Sequence, residues 1–293
     1  MLGTELCKVL AADHEVAGLD IIRSQVSGRR SQVFYEGDIT DPDRVDEVIE
    51  EARPDLVIHA AAWTDVDGCE NDPDKAYAVN TDGTYNLVKS AGKRDIPFLL
   101  ISTDFVFEGE KGTPYDEGEE GSPLSVYGKS KWRAEQLVKR ALSRFAIVRT
   151  SWLYGAGGRN FVDTVIAKAK SGEALRVVND QVGSPTYAGD LAKALKDLIA
   201  AVDGFSGEVY HISNSGQCSW YDFACRALEE AGVDAEVSEI TSAELDRPAP
   251  RPKFSVMSTE KFSGIVGRKM RPWEDALREY INDWYGGSGD TSA

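Results

Sequence analysis

The first 150 residues alternate short apolar runs with stretches of helical periodicity, and nothing else in the chain constrains its fold as strongly. The apolar runs are Val16 to Leu19, Val33-Phe34-Tyr35, Leu56-Val57-Ile58-His59, Phe98-Leu99-Leu100-Ile101 and Ala146-Ile147-Val148. Helical spacing joins Leu2, Leu6, Val9 and Leu10, and recurs over 41–52, from Pro73 to Lys93 and from Ser125 to Leu142. Asp41-Pro42 supplies an N-cap followed by proline at the first helical position. Strands that are apolar throughout, rather than on alternate residues, belong to a parallel sheet covered on both faces. The expected fold is therefore α/β, doubly wound, with its ligand crevice beyond the carboxyl ends of the strands. Those ends carry Asp20, Asp38 and Ile39, Ala60 to Thr64, Ser102 to Phe105, and Ser151-Trp152.

The opening itself is unusual. Gly3 heads a helix that leads into a strand ending at Asp20, which is the back half of a dinucleotide-binding βαβ unit of Rossmann type. Asp20 lies 17 residues beyond Gly3, near the spacing of the acid that holds the cofactor's ribose. An acid there favours the free 2′-hydroxyl of NADH, whereas Arg23 offers a partner for a 2′-phosphate, so NADPH or NADH is expected. The first strand and the earlier glycines are missing from this sequence, and about ten residues are expected upstream of Met1. That strand would sit at the centre of the sheet. Losing its buried side chains would cost about 1.5–3 kcal/mol each.

Beyond residue 150 the alternation loosens. Helices are expected near 160–171, 187–202, 220–231 and 273–285, with Pro248, Pro250 and Pro252 marking an irregular segment. The chain divides into a dinucleotide-binding domain over 1–150, a smaller substrate lobe over 151–285 interleaved with the last sheet strands, and a flexible tail over 286–293.

Composition narrows the partners. A hydrophobic fraction of 42% with 28% charged residues fits a packed core, and no apolar run reaches a membrane span. A net charge of −16 repels a phosphate backbone, which argues against nucleic acid. A small anionic ligand can still be held by local amides and arginines. The stretch Asp116-Glu117-Gly118-Glu119-Glu120 reads as a solvated loop. Cys7, Cys69, Cys218 and Cys225 lack CxxC spacing, and His14, His59 and His211 form no ligand pattern with them, so no metal site is expected and a reducing cytoplasm is the expected location.

Chemistry is carried by Tyr127-Gly128-Lys129-Ser130-Lys131. Tyrosine and lysine four apart share one helix face. An ammonium beside a phenol would lower a pKa that is ordinarily near 10 and let the hydroxyl exchange a proton near neutrality. Upstream, Ser102-Thr103-Asp104 follows an apolar strand and places a hydroxyl where a carbonyl can meet it.

With these elements in this order the chain resembles the dTDP-4-dehydrorhamnose reductase family of the extended short-chain dehydrogenase/reductase superfamily. The resemblance rests on "RPDLVIHAAAWTDVDGCE", "LISTDFVFEG", "SPLSVYGKSKWRAEQ", "VRTSWLYGAGGRNFV", "NDQVGSPTYAGDLA" and "RPKFSVM", collinear over residues 53 to 257. It implies Tyr127 as proton donor, Lys131 as its partner and a ligand of the nicotinamide ribose, and Thr103 as the hydroxyl orienting the substrate carbonyl. Asp38 and Ile39 would flank the adenine, and Ala60, Ala61, Ala62, Trp63 and Thr64 would line the cofactor. Val66, Asp104 and Trp152 would contact a dTDP-linked keto sugar, with Asn160 and Arg251 toward its nucleotide. A homodimer is compatible with the family. Related dehydratases place Asp-Glu after the strand-end threonine; here Asp104-Phe105 lacks the second carboxylate, which disfavours water elimination. Phe105 also replaces the tyrosine common in the reductases, which keeps the ring and drops one hydroxyl from the substrate side. Two other readings fit the same motifs: another nucleotide-sugar reductase or epimerase, and a non-catalytic subunit like the regulatory subunit of methionine adenosyltransferase.

Overall fold

The computed structural model describes residues 1–22, 32–202 and 204–285. Arg23 and the tail 286–293 lie outside the described residues. Helix α1 (Leu2–Leu10) turns Leu2, Leu6 and Leu10 inward and leads to β1 (Val16–Asp20), which pairs in parallel with β2 (Gln32–Glu36). Helix α2 (Pro42–Ala52) starts as its sequence signals, with the Asp41 side chain accepting from the backbone N–H groups of Asp43 and Arg44, and buries Val45, Val48 and Ile49. Then come β3 (Val57–His59) and α3 (Val66–Asn71).

The single helix expected from Pro73 to Lys93 is three pieces: α4 (Pro73–Tyr77), a π-helical turn over Ala78–Asp82, and α5 (Gly83–Lys93). The wide turn carries Asn80 and Thr81 inward, where both bond Ser130 on a neighbouring helix. A π turn re-aims side chains without ending the helix, and such turns concentrate at functional sites. Next are β4 (Phe98–Thr103), α6 (Val126–Ala141), β5 (Phe145–Thr150) and β6 (Leu153–Tyr154).

The second half runs α7 (Phe161–Lys170), β7 (Leu175–Val178), β8 (Val182–Gly183), β9 (Thr186–Tyr187), α8 (Ala188–Ala201) and β10 (Glu208–His211). It continues through β11 (Cys218–Ser219), α9 (Trp220–Glu230), β12 (Val237–Ile240), α10 (Ser242–Leu245), α11 (Glu260–Val266) and α12 (Trp273–Tyr285).

The main sheet has the order β10-β5-β4-β3, parallel throughout, with β1 and β2 forming a separate parallel pair. Residues on one face of β4 and β5 (Leu99, Ile101, Ala146, Val148) pack with α1 and α8. Those on the other (Phe98, Leu100, Phe145, Ile147) pack with α2, α5 and α6. This two-sided cover is why every residue of β4 and β5 is buried, and why both read as continuous apolar runs. A second core joins α7, α9 and α12 through Val162, Ile166, Phe223, Leu277 and Tyr280. Residues 253–258 lie between the halves as a strap. On one side Val182 N donates to Lys253 O and Ser255 N to Val182 O; on the other Phe254 N donates to Gly109 O and Tyr115 N to Val256 O, all at 2.7–3.1 Å. Among the described residues no helix is long and apolar enough to cross a membrane.

Two buried histidines give this fold a pH dependence. His59 Nε2 lies 2.9 Å from Thr84 Oγ1; His211 has Nδ1 3.1 Å from Tyr115 O and Nε2 3.4 Å from Arg149 Nη1. Burial lowers both to about 3, with nearby Lys131 and Arg149 adding to the effect. The folded chain thus keeps them neutral while the unfolded chain protonates them near 6.5, so stability is lost as pH falls below that value. Asp104, held up to about 6, acts in the opposite direction between its ordinary 3.8 and 6. Two histidines against one aspartate leave a net loss of about 1.4 kcal/mol per pH unit. A urea midpoint that stays flat from about pH 7 to about pH 5 would contradict this.

Candidate active site

Helix α6 is anchored at its start and drawn tightly onto the loop after β4. Ser125 Oγ accepts from Gly128 N at 3.2 Å, capping the helix. A Cβ on Gly128 would come within 2.3 Å of Phe105 O, so only glycine allows this approach. The result is that Tyr127 meets Thr103 at the tip of β4. The two hydroxyls lie on the same side of the site, and the Phe105 ring stands edge-on to Tyr127 at 5.6 Å. Cys69, Ala76 and the part-buried Trp63, Val66 and Val126 complete the wall around the phenol.

One helical turn on, Lys131 is buried, and Nζ donates to Ile101 O at 2.8 Å. Burial lowers it to about 8, opposed by the charge of Glu135. The expectation that the ammonium would pull down the phenol's pKa is not met in this arrangement. Burial pushes Tyr127 up, the nearby Thr103 hydroxyl counters it, and Asp104 and Cys69 raise it further. The physical reason is direction: the Lys131 ammonium points at a strand carbonyl. Tyr127 therefore stays protonated at neutral pH.

Behind this pair, Glu135 accepts from Ser102 Oγ at 2.6 Å and from Arg149 Nε and Nη2 at 2.9 and 2.8 Å. Both members of the ion pair are wholly buried. Arg149 also sits over the rings of Phe107 and Trp132. Across the site, Asn80 brackets the loop after β3: its Oδ1 accepts from Trp63 N at 2.7 Å, and its Nδ2 donates to Trp63 O at 3.1 Å and Ser130 Oγ at 3.0 Å. Sequence reasoning missed Asn80, Gly128 and Glu135. A glycine following the tyrosine was visible, but its tight contact was not.

The remaining expected residues fall in several places. Asp20 ends β1 with an exposed side chain, and Asp38 Oδ1 accepts from Thr40 N at 2.9 Å. Ile39 is buried against Gly83. Ala60, Ala61, Ala62, Trp63 and Thr64 continue from β3 with partly or fully exposed side chains, small enough at the first three positions for a ligand to approach the backbone. Gly3 lies in the first turn of α1, with no atom within 4 Å of where a Cβ would stand. Asp104 is 1% exposed, with Oδ1 accepting from Thr103 Oγ1 at 3.0 Å and Oδ2 from Ser255 Oγ at 2.5 Å. Asn160 caps α7 and donates to Gly155 O and Asp163 Oδ2, so its amide is engaged within the chain. Arg251 Nη2 donates to Asp67 Oδ2 at 2.9 Å, and Arg247 reaches the same oxygen at 2.8 Å. These bonds tie the proline-rich segment to α3, next to Val66.

Trp152 has φ 47°, a left-handed conformation that a bulky residue adopts only when its surroundings enforce it. Its indole stacks on Trp220 at 3.6 Å and 8°, and Phe161 meets Trp220 at 4.5 Å. A Cβ on Gly183 would come within 2.4 Å of the Trp152 ring, and Gly183 pairs with Cys218 two residues before Trp220. Gly183→Ala is expected to displace the indole and destabilise the fold by about 1–3 kcal/mol through overpacking. Thermal unfolding and the near-ultraviolet dichroism of the stacked indoles measure this; unchanged spectra would show the ring is not held there.

Comparisons with known proteins show which family the chain falls in. The family model described as RmlD substrate binding domain matches residues 1–285. The chain belongs to that family. It is similar to a Bacillus subtilis protein named spore coat polysaccharide biosynthesis protein SpsK, 39% identical over 96% of this chain and 94% of that one. The dTDP-4-dehydrorhamnose reductase of Mycobacterium tuberculosis is 39% identical over 82% of this chain and 80% of its own. The solved structure of the Bacillus anthracis dTDP-4-dehydrorhamnose reductase in complex with NADP superposes with a TM-score of 0.84 at 34% identity, covering 92% of this chain and 99% of that chain.

Proposed function

We propose that this chain reduces the C4 keto group of dTDP-4-dehydro-L-rhamnose to give dTDP-L-rhamnose, with NADPH or NADH as reductant. The observation that carries the reading is that Tyr127 and Thr103 stand together at the tip of β4, with Lys131 buried one turn beyond. The named relatives of similar length support it. The residues present fit a dinucleotide: an exposed acid at the end of β1, and small, accessible side chains where β3 runs out. Asp20 would hold the adenosine ribose, Asp38 and Ile39 the adenine, and Ala60 to Thr64 the centre of the molecule, with Lys131 at the nicotinamide ribose.

When bound, the reduced nicotinamide supplies a hydride. Every other task falls to the protein. Tyr127, kept protonated by burial, gives its proton to the oxygen of the carbonyl as that oxygen gains charge. Thr103 orients the same oxygen. Lys131, near neutrality in its titration, holds the strand tip and the ribose. Val66, Asp104 and Trp152 shape the sugar's place, and the Arg251–Asp67 pair fixes the segment bordering it toward the nucleotide.

The test is cofactor oxidation by the purified protein with dTDP-4-dehydro-L-rhamnose, followed by nicotinamide absorbance, with product identified by NMR. UDP- and GDP-linked keto sugars serve as comparisons. Faster turnover of one of those would move the substrate assignment, and no oxidation with any of them would reject a reductase.

A further inference from the structure

Thr103 carries one hydroxyl proton, and the structure shows two claims on it. Its Oγ1 accepts from Phe105 N at 3.2 Å and stands 3.0 Å from Asp104 Oδ1, while also facing the Tyr127 phenol and the place of the carbonyl beside it. An ionised carboxylate is acceptor-only and takes the proton in a charge-assisted bond. A neutral carboxyl with its proton on Oδ1 donates instead, and leaves Thr103 free to donate elsewhere. The other oxygen of Asp104 is bonded by Ser255 Oγ at 2.5 Å. Ser255 is 2% exposed and sits in the strap, fixed by Ser255 N to Val182 O on one side and by the bonds of Phe254 and Val256 to Gly109 and Tyr115 on the other. The hydroxyl that meets Asp104 is therefore delivered by rigid backbone, 151 residues along the chain.

We propose that Ser255 is a positioning residue which, through Asp104, sets the direction of the Thr103 hydroxyl and so decides whether Thr103 can donate to the carbonyl under reduction. The proposal rests on the reductase reading above. It gives Asp104 a task that its burial otherwise hides: with both oxygens engaged inside the protein, it acts on a ligand through Thr103.

Burial pushes Asp104 up to about 6, and the Ser255 hydrogen bond is the strongest of the groups opposing that rise, ahead of Thr103 and the backbone. Ser255 donates to the charged form, so removing it raises the titration further. The ionisable groups facing this cluster are Tyr127 from α6 and Cys69 from α3, which burial keeps protonated, and Lys131, bonded to Ile101 O. Arg149 and Glu135 are paired with each other. In the ionised state of Asp104 the Thr103 proton is drawn away from the site. Turnover should then decline as pH rises through the Asp104 midpoint.

The experiment compares wild type, Ser255→Ala, Ser255→Thr and Asp104→Asn. The Asp104 carboxyl is followed by carbon NMR without substrate, and kcat and KM for the keto sugar are followed from acid to mildly alkaline pH. In Ser255→Ala the carboxyl midpoint should rise by about one pH unit, and the descending limb of kcat should move with it while KM changes little. Ser255→Thr, which keeps the hydroxyl, should restore both. Asp104→Asn cannot ionise and can donate its amide N–H to Thr103 at any pH, so whatever its turnover the descending limb should be absent from its profile. A carboxyl midpoint unmoved in Ser255→Ala, or a kcat limb that does not follow it, overturns the proposal. A wild type inactive on every keto sugar overturns the reductase reading and the catalytic half of this one; the carboxyl shift then decides the Ser255–Asp104 coupling by itself.

Discussion

Tyr127→Phe should lower kcat by about 10²–10⁴-fold, the usual contribution of a positioned general acid, and leave the fold standing. The ring is the structural part of this residue: it packs with Cys69, Ala76, Val66 and Phe105, all of which phenylalanine would still meet. The hydroxyl is the chemical part. Losing its polar contact with Thr103 should cost at most about 1 kcal/mol of stability, a small fraction of a domain's total. Circular dichroism and thermal unfolding would confirm an intact protein, and single-turnover oxidation of bound cofactor would report the chemical step. Near-normal turnover in this variant would remove Tyr127 from the mechanism.

Glu135→Ala carries the largest expected effect on stability. Glu135 and Arg149 are both wholly buried and joined by two hydrogen bonds at 2.8–2.9 Å. Removing the carboxylate leaves a guanidinium among Phe107, Trp132 and the sheet with no countercharge, and a loss of about 3–5 kcal/mol is expected. Replacing both members together, Glu135→Leu with Arg149→Met, should recover most of that loss, because the desolvation penalty disappears along with the attraction. Urea denaturation of the two single variants and the double variant forms the cycle that measures it. A single variant as stable as the wild type would mean that water or a backbone group takes over the guanidinium. The same substitution removes the charge that holds Lys131 up, so the lysine should titrate below its present value of about 8.

The strands and helices of the first half were legible because burial on two faces and on one face leave different periodicities, as in Phe98–Ile101 against Val45, Val48 and Ile49. The positions of Thr103, Tyr127 and Lys131 were legible through motif order. Their mutual orientation was not. Nothing in Tyr-x-x-x-Lys says that the ammonium will turn to Ile101 O, since that depends on how far α6 slides along β4, and the slide is set by Gly128 against Phe105. The π turn at Ala78–Asp82 was hidden because its residues keep helical character while the register slips by one. Arg251 is engaged by Asp67, 184 residues away, and Ser255 by Asp104, 151 away. Contacts of that span leave no local spacing to read. The segment "RPKFSVM" drew notice by resemblance alone, without indicating which of its side chains mattered.

The strap over 253–258 also limits how the molecule can move. Its backbone is bonded to β8 on one flank and to residues 109–115 on the other, so swinging the two halves apart would break backbone hydrogen bonds on at least one flank at once. A hinge is thus a poor description of ligand entry here. Breathing should instead be confined to side chains and to turns outside the seam, and the bonded amides of Phe254, Ser255 and Ser258 should exchange with solvent about as slowly as those of the central strands.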